Sequence, residues 1–326
     1  MTDNYSVIFT SPQKAELLQT PFEAKPASGE IIGKTLVSVI SSGSESGGFM
    51  NYFGGGDYPC ETGYAGILEV VETGGNVKGI VKGDRVFAQT HHKLYHCIPA
   101  ESVIRVTRDV LPEKAVLCRF PAVSMTTMIH TSVRPTEPVL VSGLGIIGLM
   151  CAQMMQHCGY EVYAIDLFEN RRITAQKCGI KHLFASAGAL TVPQKSAGLA
   201  IDCSGNEKAV FELLPYIRPC GELSLVGVPW KRTTETYAHD LLREIFTSYI
   251  HLYSGWEWSI PLHSDKFNPN SNFRSFETAL NWIADDILHT DGIYELYKPS
   301  DCGTLYPIIA AGSLPSTCAV FDWRSY

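Results

Sequence analysis

Three glycines and one carboxylate carry the clearest chemistry in this chain. Gly143, Gly145 and Gly148 stand in the G-x-G-x-x-G spacing, within Gly143-Leu144-Gly145-Ile146-Ile147-Gly148. The apolar run Val139–Val141 leads into them and a helix-like stretch leads out. A second apolar run, Val162–Ile165, ends in Asp166. This order suits dinucleotide binding. The first glycine permits the tight turn, the second lets a pyrophosphate approach the backbone, and the third lets helix and strand pack closely. The helix N-terminus offers free N–H groups and the positive end of a dipole. Asp166 is placed to accept hydrogen bonds from ribose hydroxyls and to repel a 2′-phosphate, so NAD is the expected cofactor. The plain alternative is an ordinary strand–helix turn.

The elements that must position these residues repeat along the middle of the chain. Apolar strands Val139–Ser142, Glu161–Ile165, His182–Ala185, Leu199–Cys203, Gly221–Val226 and Ile250–Ser254 alternate with helical stretches, among them Leu149–Cys158 and Asn170–Cys178. That rhythm predicts an α/β fold with a doubly wound parallel sheet. Ligands of such sheets lie beyond the C-terminal ends of the strands. Ser204, Gly205, Gly227 and Val228 follow two of these strands and are candidate cofactor neighbours.

The first ~120 residues read differently. Ser6–Phe9, Ile31–Ile40, Ile67–Glu72 and Arg85–Ala88 look like strands, and the turn-rich segments Ser41–Gly48 and Gly54–Asp57 lie between them. An amphipathic helix is expected at Phe273–Ile287, followed by polar and β-like segments ending in Ala319–Trp323. This layout suits a nucleotide domain inserted into another domain.

Bulk properties narrow the classes. The chain has 326 residues, 45% of them hydrophobic and 18% charged, enough for a substantial core. The net charge is −7 and no basic block stands out, so neither nucleic acid nor an anionic membrane is an expected partner. No secretory leader pattern and no transmembrane-length apolar run are seen. The ten cysteines are scattered and none forms C-x-x-C, which suits reduced thiols and a cytoplasmic location.

Two stretches then carry a family resemblance: Gly63–Phe87, ending in Gly83-Asp84-Arg85-Val86-Phe87, and the block from Val139 to Gly179. In them the chain resembles medium-chain dehydrogenases/reductases of the zinc-type alcohol dehydrogenase kind. The Ile40–Glu45 loop and the Gly63-Tyr64 pair are most similar to a short, zinc-less branch near bacteriochlorophyllide a dehydrogenase. The resemblance implies a GroES-like β-rich catalytic domain at 1–121 and 265–326, and a Rossmann NAD-binding domain at 122–264. It implies a homodimer through the edge strand of the Rossmann sheet.

It also implies where a catalytic zinc would sit, and the residues there are wrong for it. The three ligand positions correspond to Ser42, Tyr64 and Phe120. Zinc needs thiolate, imidazole or carboxylate. The cysteines of the family's structural zinc lobe are missing, with only Cys97 in that region. No metal is therefore expected. A site rebuilt from His91, His92 or His96 with Glu45 is a minor alternative.

Side chains must then handle the proton that accompanies hydride transfer. By the resemblance, Ser44 could hold the substrate hydroxyl, or only cap a loop. Tyr64 could act as general acid, or only fill the vacated metal volume. His91 and His92 titrate in the right range, or are a surface pair. Glu45 could bind hydroxyls or orient a histidine, or be a solvated loop charge. Arg119 could polarise a carbonyl or form an ion pair. Ser124 matches a position near the nicotinamide, or is a helix cap. The expected function is a zinc-independent, NAD(H)-dependent interconversion of a secondary alcohol and a ketone, on a sugar or cyclitol-like substrate. The alternatives are an NADPH-dependent enone or quinone reductase, and a catalytically silent NAD-binding protein.

Overall fold

The computed structural model describes residues 2–326, which form two compact units: residues 2–119 with 290–326, and residues 120–289. The chain enters the first unit with strands β1 (Thr2–Ser11), β2 (Lys14–Phe22) and β3 (Glu30–Val39), then helix α1 (Ser42–Met50). Strands β4 (Cys60–Glu61), β5 (Ala65–Thr73), β6 (Arg85–Ala88), β7 (Tyr95–Pro99) and β8 (Val103–Arg105) follow, with a short helix α2 (Pro112–Ala115).

The segment Ser41–Gly48, expected as turn, is thus largely helical. Serine and glycine are weak helix formers, so propensity concealed α1. Two tertiary features hold it. Phe49 is buried at one end, and the Glu45 carboxylate reaches back to the Ser41 N–H at 2.8 Å at the other.

The second unit begins at Phe120, within helix α3 (Arg119–His130). Then come β9 (Pro138–Ser142), α4 (Ile146–His157), β10 (Glu161–Ile165), α5 (Glu169–Lys177) and β11 (His182–Phe184). Next are β12 (Ala197–Asp202), α6 (Glu207–Leu213), β13 (Ile217–Leu225), α7 (Ala238–Ser248), β14 (His251–Ser254) and α8 (Asn272–Ala284). Six strands make one parallel sheet in the order β11-β10-β9-β12-β13-β14. This is the strand order of a doubly wound dinucleotide-binding fold, with its crevice where the order reverses between β9 and β12. Every residue of the central strand β12 is buried, as a strand covered on both faces requires.

The chain returns to the first unit with β15 (Tyr294–Tyr297), α9 (Cys302–Ala310) and β16 (Cys318–Asp322). A seven-stranded sheet runs β15-β16-β3-β5-β6-β8, with β7 also paired to β3. A three-stranded sheet, β2-β1-β4, accompanies it. The core here joins Val7, Phe9, Phe49, Tyr306, Phe321 and Trp323. The Phe9 and Tyr306 rings meet edge to face at 4.8 Å.

Two expectations are corrected. The boundary at 264 lies too early, because α8 belongs to the second unit, which runs to His289. The region after α8 is not only polar and β-like, since it contains α9. Pro307 lies inside that helix and removes one backbone donor, so the pattern did not read as helical. No helix among the described residues is long and apolar enough to cross a membrane. All ten cysteines are free thiols.

The glycine turn has a steric limit that can be tested. A Cβ at Gly148 would overlap the Gly143 carbonyl oxygen. Gly148→Ala should therefore cost about 3 kcal/mol of stability, read as a lower urea midpoint. An unchanged midpoint would show that the turn gives way freely.

Candidate active site

The turn from β9 to α4 is held from one side by a carboxylate. Gly143 takes φ +86°, a conformation that favours glycine, and its N–H donates to the Ile165 carbonyl at 2.8 Å. The Leu144 N–H donates to Asp166 Oδ2 at 2.7 Å, and the Phe168 N–H to Asp166 Oδ1 at 2.8 Å. Arg171 adds a longer contact of 3.4 Å. Asp166 thus ties the turn to the end of β10. A carboxylate has about four acceptor sites, so room remains for a further donor.

The residues present fit a dinucleotide. Gly145 is the N-cap of α4, and a Cβ built on it meets nothing within 4 Å. The turn is therefore open at the position where a phosphate would approach. Ile146, Ile147 and Gly148 lie in the first helical turn, where N–H groups lack intrahelical acceptors. On α3, Ser124 is fully buried and its Oγ has no hydrogen-bond partner. Leaving a buried hydroxyl unsatisfied costs about 1–3 kcal/mol, so a polar ligand group there would relieve a cost. Thr127, on the same helical face, bonds Ser224 of β13 at 2.7 Å.

Ser204, Gly205, Gly227 and Val228 meet one another in the structure. A Cβ on Gly205 would overlap the Val228 carbonyl oxygen, and one on Gly227 would overlap the Gly205 nitrogen. Asp202, missed in the sequence, organises both loops. Its carboxylate accepts the Ser204 N–H at 3.1 Å, the Ser204 hydroxyl at 2.5 Å and the Gly205 N–H at 3.1 Å. Its carbonyl accepts the Val226 and Gly227 N–H groups, each at 2.8 Å. Burial pushes its pKa up, and the hydrogen bonds only partly oppose this. A signal existed: β12, like β10, is an apolar run ending in aspartate.

In the first unit, the candidate proton-handling residues separate into two groups. Ser44 is exposed on the first turn of α1, and Tyr64 is half-buried just before β5. The guanidinium of the buried Arg119 lies over the Tyr64 ring, 4.0 Å from its centroid. Such a desolvated cation–π contact contributes about 2 kcal/mol. Ser42 is half-buried and Phe120 fully buried. A hydroxyl, a phenol and a phenyl ring do not suit zinc.

Glu45 and His92 are brought together, but inside the protein. Glu45 is 6% exposed and His92 0%. Glu45 Oε2 accepts the Thr62 hydroxyl at 2.8 Å and the Tyr306 hydroxyl at 2.5 Å, and meets His92 Nε2 at 3.1 Å. His92 Nδ1 meets Ser38 Oγ at 2.7 Å, and Trp323 Nε1 donates to that same oxygen at 2.8 Å. Burial pushes the Glu45 carboxyl up, but His92, Tyr306 and the Ser41 N–H outweigh it, leaving a net lowering.

His92 is therefore no surface histidine, and Glu45 no solvated loop charge. His91 is exposed and pairs with Glu61 at 2.7 Å. His96 is buried against the Lys93 carbonyl at 3.0 Å, and burial lowers its pKa to about 4. Among the described residues no three or more His, Cys, Asp or Glu side chains gather as metal ligands would. Of the rebuilt metal set, only His92 meets Glu45.

Comparisons with known proteins follow this geometry. Residues 147–261 match the family model described as zinc-binding dehydrogenase. L-threonine 3-dehydrogenase of Proteus mirabilis is 27% identical over 212 residues, covering 52% of this chain and 61% of that protein. The chain thus matches under two thirds of that curated relative's length. A solved Sinorhizobium meliloti protein, described as a zinc-binding dehydrogenase bound to NADP, aligns with a TM-score of 0.78 at 14% identity. That alignment covers 99% of this chain and 100% of the other. Acetophenone reductase from Geotrichum candidum, solved with NAD, aligns with a TM-score of 0.78 at 16% identity, covering 98% and 96%. The fold is a GroES-like domain with a Rossmann domain, as in the solved dehydrogenases that align with this chain.

The Glu45 site makes a pH prediction. Its folded carboxyl titrates below the ordinary 4.5. The stabilisation is therefore fully present above 4.5 and is lost as pH falls through the folded value. Glu45→Gln should cost about 1–3 kcal/mol at neutral pH and flatten the loss of stability as pH falls below about 4.5. Equal acid sensitivity of both proteins in denaturant titrations would contradict this.

Proposed function

We propose that this chain is an NAD(H)-dependent oxidoreductase of the zinc-less branch, interconverting a secondary alcohol and a ketone by hydride transfer. One observation carries the reading. An intact dinucleotide turn, open at Gly145 and closed by Asp166, occurs in a chain whose metal-ligand positions hold Ser42, Tyr64 and Phe120. The nicotinamide, when bound, supplies the hydride acceptor or donor. The N–H groups of the first turn of α4 would hold the pyrophosphate. Asp166 would accept a ribose hydroxyl, and its charge disfavours a 2′-phosphate.

Ser44 would hold the reacting oxygen by a hydrogen bond, and Tyr64 would give or take its proton. Arg119, stacked on that phenol, fixes the plane of the ring. Polar side chains in place of a metal suit a substrate rich in hydroxyls, a sugar or cyclitol. His91, exposed and paired with Glu61, is left at the surface in this reading.

We further infer that two copies pair through β14. It is the edge of the six-stranded sheet and exposes Leu252. Phe246, Tyr249, Trp256 and Trp258 are exposed close by in sequence. A bare sheet edge beside a large apolar surface is a pairing site. Leu252→Glu should shift the protein from dimer to monomer in sedimentation velocity, and a wild-type monomer would refute the pairing.

Binding measurements test the cofactor. NADH should bind at least about tenfold tighter than NADPH, and Asp166→Ala should remove that preference. Gly145→Ala should leave the melting temperature nearly unchanged while weakening NADH binding about tenfold or more. Turnover should survive a chelator. Tighter binding of NADPH, or zinc-restored activity after chelation, would overturn the reading.

A further inference from the structure

We propose that Glu45 is a positioning residue, whose buried carboxylate sets the geometry of the two loops that carry Ser44 and Tyr64. The inference rests on the roles proposed above for those two side chains. One carboxylate oxygen accepts the Ser41 N–H at the start of α1, 2.8 Å away. The other accepts the Thr62 hydroxyl at 2.8 Å, in the loop that leads to Tyr64. A single side chain thus bridges both loops.

The bridge is itself held from behind. Tyr306 of α9 donates to the same Glu45 oxygen at 2.5 Å, and His92 meets it at 3.1 Å. The His92 backbone N–H donates to the Thr62 carbonyl at 2.7 Å, so His92 grips the Tyr64 loop as well as the carboxylate. Ser38 accepts from Trp323 and has one proton of its own, which it can give to His92 Nδ1. His92 then presents Nε2–H to Glu45. The ring has a partner at each nitrogen, and its edge packs on Phe321 with centroids 5.0 Å apart.

Stability alone does not account for this arrangement. A buried charged cluster replaced by apolar side chains of similar volume is often neutral or stabilising. Hydrogen bonds add direction, which apolar packing does not. Here the direction is imposed on Ser41 and Thr62, the residues that lead into the two reacting side chains. A displacement of about 1 Å at a reacting group can cost roughly 100-fold in rate.

Three variants separate positioning from ordinary stabilisation. Thr62→Val cuts the bridge to the Tyr64 loop, and Glu45→Gln cuts it at the centre. Ile309→Ala truncates the same core on α9 without touching the carboxylate. Each is compared with wild type by melting temperature, by hydrogen–deuterium exchange over residues 41–46 and 62–66, and by steady-state kinetics with NAD⁺ and a panel of polyols. Thr62→Val and Glu45→Gln should speed exchange in 62–66 about tenfold and lower kcat about 100-fold, with KM for NAD⁺ within about twofold. Ile309→Ala should lower the melting temperature at least as much as Thr62→Val, yet keep loop exchange and kcat within about twofold of wild type. If kcat and loop exchange simply follow melting temperature across all three, the positioning role is wrong. If the wild type turns over no polyol, the proposed reaction fails, and the exchange contrast alone decides the role of Glu45.

Discussion

A carboxylate taken out of water costs several kcal/mol unless donors surround it. The structure meets that demand at Glu45, Asp166 and Asp202. Each is nearly inaccessible, and each is surrounded by donors, which for Glu45 and Asp166 come from separate segments. Asp166 takes the N–H of Leu144 across from β10, and so fixes the turn in which Gly145 lies open. Asp202 takes donors from the loop after β12, while its carbonyl takes those of the loop after β13. Glu45 joins α1, the Thr62 loop, His92 and α9. Where these donors must converge, the chain has little freedom, and candidate residues cluster there.

The Rossmann unit was legible because its signals are local. Parallel strands buried on both faces read as apolar runs, and each glycine of the turn has its own steric reason. The exposed end of this unit was less clear. The α7 sequence places Leu242, Phe246 and Tyr249 on the outside, so apolar spacing alone did not separate core from surface. Asp202 is harder to read although its strand ends as β10 does, because the Ser204-Gly205 turn that its carboxylate organises carries no glycine-rich motif.

In the other unit the informative contacts are distant in sequence. Glu45 and Tyr306 meet across most of the chain, and no spacing rule predicts such a pair. Helix α1 is written in serine and glycine, and α9 contains Pro307, so neither announced itself by propensity. The family resemblance singled out Ser44, Tyr64 and Arg119 as candidates, and the structure adds that Arg119 and Tyr64 stack. It also divides the two adjacent histidines: His91 faces water, while His92 is sealed in the core.

The strand order of the larger sheet governs how this chain can be built. Strand β16 lies between β3 and β15, and Trp323 just beyond it bonds Ser38. During synthesis, β3 is soon followed by its partners β5 and β7, but it leaves the ribosome long before β16 exists. The intervening unit, with its sheet wholly local to residues 120–289, can fold while the first strands still wait. Until β16 arrives, the edge of β3 at Val37–Val39 is bare, and bare edges invite pairing with other chains. The nascent protein is therefore open to wrong pairing at those three residues in that interval, and a chaperone that shields β3 would act there.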